Sequence, residues 1–340
     1  MHRQADSDRE QLRRDITAAL QDLLADRRLP LYDLMRFHFG WTDENGAPTR
    51  AGAGKMLRPT LCLMACEAAG GRRERALPAA AAIELVHNFS LVHDDVQDDD
   101  RERRGRPTVW SLWGKPQAIN VGTAMRILAS LALERLELPA ARILQVTDCL
   151  DRATLRLIEG QYQDISFETR SSVSTTEYLQ MIRGKTAELI AAALEIGALV
   201  GGEDPQAPRR LHELGLALGL AFQIRDDILG IWGDSALTGK PTGSDIARRK
   251  KTYPLVFAWG RAEGRAGERL RQLYESPVLG LEQVLEVASL LEELGSRAAA
   301  QELVERYSLE ALTLLGGLGF PAQASAGFRQ MITSLVGRSA

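Results

Sequence analysis

The segment ALPAAAAIELVHNFSLVHDDVQDDD, residues 76–100, runs an apolar helix straight into five aspartates. After Pro78 it holds no helix breaker, and a helix is expected over 76–98. Leu85, Phe89, Val92 and Val96 recur at steps of four, three and four, which is one apolar stripe. His87, Leu91, Asp94 and Asp98 take the same steps on a second face. Asp94 and Asp98 therefore stack one turn apart, with Asp95 beside them. Like charges at that spacing destabilise a helix. A fold that keeps them has to bring cations to this spot, and that requirement limits the chain more than its composition does.

A second acidic pair lies in AFQIRDDILGIWGD, residues 221–234. Asp226 and Asp227 sit among Phe222, Ile224, Ile228, Leu229 and Ile231, with Gln223 one turn earlier. Charge in apolar surroundings is costly unless it is paired or metal-bound. Taken alone, the first cluster also reads as a solvated acidic helix end. Two such clusters suggest two walls of one charged cavity. Mg2+ is the natural partner, since it takes one or two carboxylates and completes its shell with substrate phosphates. Basic residues supply the rest: Lys55 and Arg58 in GKMLRP, Arg103 and Arg104 in RRGRP, Lys185 in RGKTAELI, and Lys240 and Lys250 in TGKPTGSDIARRKKTYP. Each alone reads as a surface charge. Together with a metal they are what a diphosphate requires.

Helical periodicity recurs over 145–168, 177–200, 207–231 and 281–307, and no stretch alternates like a strand. The predicted fold is all-α. The motifs lie far apart in sequence yet must meet, so one domain is expected over residues 1–340, with core motifs in 50–260 and C-terminal helices in 281–340. The 340 residues include 42 basic and 45 acidic ones, a balance that argues against nucleic acid as partner. Cys62, Cys66 and Cys149 make no disulfide framework and read as buried thiols. The most apolar stretch, AELIAAALEIGALVGG, is interrupted by Glu188 and Glu195, so no membrane span is expected. The first residues carry no apolar leader, and a cytoplasmic protein is expected.

These elements, in this order, resemble the trans-isoprenyl diphosphate synthases, the polyprenyl synthetase family. GKMLRP is similar to the family's GGKRxRP element, and HDDVQDDDRERRGRP to its first aspartate-rich motif. GQYQD, KT and FQIRDDILG resemble the middle element, the lysine–threonine pair and the second aspartate-rich motif. GSDIARRKKTYP resembles the lysine element after it. The resemblance implies a single antiparallel helical bundle around a deep central cavity, usually a homodimer. It implies head-to-tail condensation of isopentenyl diphosphate with an allylic diphosphate, with Mg2+ as cofactor, about three ions per site, and Mn2+ as a substitute. It assigns Asp94, Asp95, Asp98, Asp226 and Asp227 to metal, with Gln223 beside the second site. Arg103, Lys185 and Lys250 go to the allylic diphosphate, and Lys55, Arg58, His87 and Arg104 to isopentenyl diphosphate. Lys240, Thr186 and Gln223 join the substrate-binding set, and Gln161 and Asp164 match the middle element. Asp94, Asp95, Arg103, Lys185, Asp226 and Asp227 are expected to carry catalysis.

The chain departs from the family at three places. Gly230 stands where many members have a third Asp, Ala53 and Met56 replace Gly and Arg, and Thr123 replaces a common Asp. Product length in the family depends on bulk just upstream of the first motif. Phe89 and Ser90, five and four residues before Asp94, resemble geranylgeranyl diphosphate synthases (C20), with C15 and C25 as alternatives. A class I terpene cyclase and a non-catalytic partner subunit are the rival readings. The first has no use for GKxxRP and RRG, and the second is disfavoured by two intact Asp pairs.

Overall fold

The computed structural model describes residues 2–49, 54–234, 242–276 and 278–337. It is all-α apart from one two-stranded ribbon and an isolated bridge between Thr42 and Pro48. Its internal contacts form two compact units, Met1–Arg152 with Ala192–Arg209, and Ala153–Ala191 with Arg210–Ala340.

In the first unit the helices are α1 (His2–Leu24), α2 (Pro30–His38), α3 (Leu57–Ala68), α4 (Leu77–Gln97), α5 (Val109–Trp113) and α6 (Lys115–Leu133). Pro30, Pro78 and Pro116 open three of them, where a missing N–H costs nothing. Helix α4 is the centre: Ala79, Ala80, Ala81, Ala82, Ile83 and Val86 have no exposed surface. It packs along α6 and against α1 and α3. The predicted helix over 76–98 is observed within a residue at each end. The aspartates thus fall at a helix C-terminus, where the macrodipole also disfavours negative charge. Cys62 and Cys66 are free and buried, and burial raises both thiols, Cys66 to about 11. They are packing residues, as the sequence suggested.

The middle of the chain is carried by α7 (Ala140–Glu168), α8 (Thr175–Ile182), α9 (Glu188–Gly201) and α10 (Ala207–Trp232). The single helix expected over 177–200 is not continuous. Helix α8 starts earlier, at a capping box in which Ser174 and Glu177 satisfy each other's backbone N–H groups. Between α8 and α9 the helix widens into a π turn, Arg183–Ala187. In the second unit Phe167, Tyr178, Ile224, Ile228, Val256 and Val304 share one core. They come from α7, α8, α10 and the helices Tyr253–Trp259 and Ser296–Gly316. The expected C-terminal helices are Leu281–Glu293, Ser296–Gly316 and Ala322–Val336. Among the described residues no helix is long and apolar enough to cross a membrane.

Candidate active site

The end of α4 shows how the first acidic cluster is tolerated. The Asp98 N–H donates to the Asp94 carbonyl at 2.8 Å, so the last turn is helical and both side chains share a face. Asp94 is half-buried and Asp98 exposed. Asp95 points inward at 2% exposure, and Arg103 Nε donates to its Oδ1 at 2.7 Å. Burial raises the Asp95 carboxyl to about 6, against the pull of Arg103. Asp99 turns the chain with φ +53°, and Lys115 Nζ reaches its carboxylate at 2.5 Å.

Arg103 is delivered by a β-hairpin, β1 (Glu102–Arg103) paired antiparallel with β2 (Arg106–Pro107). The two residues between them, Arg104 and Gly105, have φ of +56° and +70°. Two positive φ values define a type I′ turn, whose twist suits a hairpin. Arg106 anchors the base, donating to the carbonyls of Phe37 and Thr42 at 3.0 Å each, with its guanidinium over the Phe37 ring. The RRG sequence is thus a rigid finger that projects Arg104.

Arg104 lies against Gly54. A Cβ on Gly54 would sit 2.4 Å from both Nη atoms of Arg104, so the glycine is the seat of the guanidinium. The structure therefore joins GKMLRP to RRGRP. Arg58 reaches the same region, with Nη1 3.4 Å from His87 Nε2. Burial pulls Arg58 down to about 10, though Glu84 opposes this. Burial and then the Arg58 charge hold His87 well below its usual value, so it is neutral and accepts from Arg58. Lys55 is exposed.

Three residues of this cluster were missed in the sequence. Asn88 donates to Glu84 Oε1 at 2.8 Å, and its Oδ1 lies 3.1 Å from His38 Nε2. Glu84 is 5% exposed, and its second carboxylate oxygen is buried without a hydrogen bond. Burial raises its carboxyl, while Asn88, Arg58 and Arg104 oppose the rise. Polar Glu84 and Asn88 inside an apolar helix were a usable signal; His38 offered none.

The product-length candidates Phe89 and Ser90 are both buried on α4. Phe89 meets the edge of the His93 ring at 5.6 Å between centroids, and Ser90 Oγ donates to the His87 carbonyl at 2.8 Å. Thr123 is exposed on α6.

The second unit has its own polar constellation. Asp226 is exposed on α10. Asp227 is 1% exposed and saturated with donors. Tyr178 OH and the Tyr253 N–H donate to Oδ2, the latter at 3.0 Å, and Gln223 Nε2 donates to Oδ1 at 3.1 Å. Thr186 Oγ1 donates to Gln223 Oε1 at 2.8 Å, which fixes the amide's orientation. Burial raises the Asp227 carboxyl to about 7 despite these donors and Lys250. Lys185, inside the π turn, binds Asp164 Oδ2 at 2.5 Å. Gly160 lets the π turn come this close: a Cβ there would lie 2.3 Å from the Lys185 backbone nitrogen. Gln161 is buried. Burial would lower Lys250, but Asp245, Asp227, Asp164 and Asp226 together raise it. Lys240 and Ala53 lie outside the described residues.

The expectation treated the two members of each Asp pair alike, and the structure separates them. Adjacent residues on a helix point about 100° apart, so Asp94 and Asp226 reach solvent while Asp95 and Asp227 are buried. Among the described residues no three His, Cys, Asp or Glu groups are gathered as a preformed metal cage. Exposed oxygen donors used singly or in pairs still fit Mg2+, which leaves most of its shell to water and phosphate.

Residues 43–293 match the family model described as polyprenyl synthetase, and the chain belongs to that family. It is 39% identical over 330 residues to the (2E,6E)-farnesyl diphosphate synthase of Mycobacterium tuberculosis, covering 96% of this chain and 91% of that one. It is also 39% identical over 312 residues to the geranylgeranyl diphosphate synthase of the same organism, covering 90% and 87%. A polyprenyl synthetase from Streptomyces coelicolor superposes with a TM-score of 0.91 at 39% identity, over 96% of this chain and 98% of that one. The chain is a trans-prenyltransferase of the farnesyl and geranylgeranyl diphosphate synthase type.

Proposed function

We propose that the chain condenses isopentenyl diphosphate with an allylic diphosphate, head to tail, to give all-trans geranylgeranyl diphosphate (C20). The observation that carries the reading is the joining of Arg58, His87 and Arg104, with Gly54 as the seat. A second diphosphate needs a second set of donors, and a cyclase acting on one diphosphate does not. In this reading Lys55, Arg58, His87 and Arg104 hold isopentenyl diphosphate. Arg103, Lys185 and Lys250 serve the allylic diphosphate.

Asp94, Asp98 and Asp226 would hold Mg2+, which supplies charge neutralisation to a departing diphosphate. Asp95 and Asp227 act by position. Asp95 aims Arg103, while Asp227 organises Gln223, Tyr178 and the start of the Tyr253–Trp259 helix. The allylic C–O bond breaks, the isopentenyl double bond forms the new C–C bond, and the proton leaves to the released diphosphate. Donors fixed before the reaction stabilise developing charge without reorganising.

The C20 product is supported by the buried pair Phe89 and Ser90, since an aromatic at the fifth position stops the growing tail. The farnesyl and geranylgeranyl synthase relatives are equally identical to the chain, so overall similarity does not decide product length. A cytoplasmic homodimer completes the proposal. Ile119, Ile127 and Leu131 stand exposed on α6 at helical spacing, and Leu155, Ile158, Tyr162 and Ile165 do so on α7. Faces this apolar suit a second copy.

The test is product length: purified protein, Mg2+, labelled isopentenyl diphosphate and farnesyl diphosphate, then dephosphorylation and chromatography. A C20 alcohol is expected. A longer one keeps the reaction and removes the Phe89 floor. No elongation from any allylic starter overturns the proposal.

A further inference from the structure

Helix α4 buries a polar chain to which the proposed reaction gives no part. Glu84, His87 and Asn88 stand at positions i, i+3 and i+4, so they share one face of the helix. Arg58 meets that face at His87, 3.4 Å away. Glu84 is 5% exposed. Among the described residues its Oε2 accepts no hydrogen bond, and Arg58 Nε, also buried, donates none. Burial works against both charges; Glu84 opposes it at Arg58, and Asn88, Arg58 and Arg104 oppose it at Glu84. The carboxylate and the guanidinium therefore attract one another, yet they are not hydrogen-bonded.

Asn88 keeps them apart. Its Nδ2 donates to the Glu84 carbonyl and to Glu84 Oε1, at 2.8 Å each. Both amide protons are then used, so Asn88 Oδ1 can only accept. His38 Nε2 lies 3.1 Å from that oxygen and must carry the hydrogen between them. Without this donor nothing fixes which way the amide faces, and a flipped amide would set Oδ1 against the Glu84 carboxylate. His38 closes α2 beside Phe37, whose carbonyl holds Arg106 at the base of the hairpin that carries Arg104.

We infer that His38 and Asn88 are positioning residues for isopentenyl diphosphate: they tether the Glu84 carboxylate so that it does not capture the guanidinium the substrate needs. The inference rests on the reading of Arg58, His87 and Arg104 as the isopentenyl diphosphate pocket. A tethered carboxylate offsets the repulsion between buried cations and leaves their hydrogen-bond donors free. A released one turns onto Arg58 and competes with the incoming diphosphate.

The experiment is initial velocity of the full chain with Mg2+, varying isopentenyl diphosphate at saturating farnesyl diphosphate and then the reverse. The proteins are wild type, His38→Leu, His38→Gln, Asn88→Ala, the double variant His38→Leu with Asn88→Ala, and Arg104→Ala. His38→Leu is expected to raise the isopentenyl KM about three- to tenfold, the worth of one neutral hydrogen bond, with the rise absent from kcat and from the farnesyl KM. His38→Gln keeps a donor and is expected to recover most of that loss. The double variant should do no more than the larger single effect, because both act through one contact. Melting curves establish that each variant is folded, and His38→Ala replaces a His38→Leu that is not. An unchanged isopentenyl KM in His38→Leu overturns the inference and leaves the pocket reading standing. So does a His38→Gln no better than His38→Leu, which marks His38 as a packing residue, and so do equal rises for both substrates. An Arg104→Ala with an unchanged isopentenyl KM overturns the pocket reading and the inference with it.

Discussion

Gly54→Ala tests whether Arg104 works from the seat the structure gives it. The new methyl would lie 2.4 Å from both guanidinium Nη atoms, where ordinary contact begins at 3.4 Å. The guanidinium must therefore retreat by about 1 Å, enough to lose a directed bond to phosphate. A charge-assisted hydrogen bond of this kind contributes about 1.5–3 kcal/mol, or roughly 10- to 100-fold in binding. Only the far end of the Arg104 side chain has to move, so stability should change by no more than about 0.5 kcal/mol. The assay is initial velocity against isopentenyl diphosphate at saturating allylic substrate, then the reverse. The expected result is a KM for isopentenyl diphosphate raised by that factor, with the allylic KM little changed. Adding Gly54→Ala to Arg104→Ala should do nothing further, because the two act through one contact. An unchanged isopentenyl KM would refute the reasoning, as would equal rises for both substrates.

Asp94→Asn should abolish turnover and raise the Mg2+ requirement. Asp95→Asn should lower the rate with little change in the Mg2+ requirement, since it only aims Arg103; identical metal profiles for the two would count against the division. Phe89→Ala should shift the product towards C25 and beyond, read by chromatography of the alcohols, and an unchanged pattern removes Phe89 as the floor. His38 is held down to about 3 by burial first and then by Arg103, Arg104 and Arg106, against the Asn88 hydrogen bond. Its folded form stays neutral while the unfolded chain takes a proton below about 6.5. Its contribution is present above pH 6.5 and is lost as pH falls towards 3, by at most about 1.4 kcal/mol per unit. His38→Gln should flatten this loss in urea unfolding between pH 7.5 and 5; parallel curves would count against it.

Helix α4 was legible because its apolar steps, its proline start and its acidic end all agree. The same steps placed Asp94 and Asp98 together, and the hydrogen bond between their backbones bears that out. They could not say which member of each Asp pair faces solvent. That depends on the neighbours against which the helix is rotated, such as Tyr178 and Tyr253 around Asp227. Tyr178 reads locally as one more core aromatic. The seat of Arg104 on Gly54 joins distant segments and leaves no local trace. RGKTA has the composition of an ordinary helix, so nothing in its periodicity announces a wider turn.

That π turn has a consequence for how the protein can change. A π turn amounts to one extra residue inserted into an α-helix, and here it carries Lys185 towards Asp164. Deleting a single residue within 183–187 would mend the defect and leave an unbroken helix of better regularity. The mended chain would also rotate α8 by about 100° relative to α9, separating Lys185 from Asp164. On the proposed role of Lys185 at the allylic diphosphate, the mended helix would be the more regular structure and the poorer enzyme.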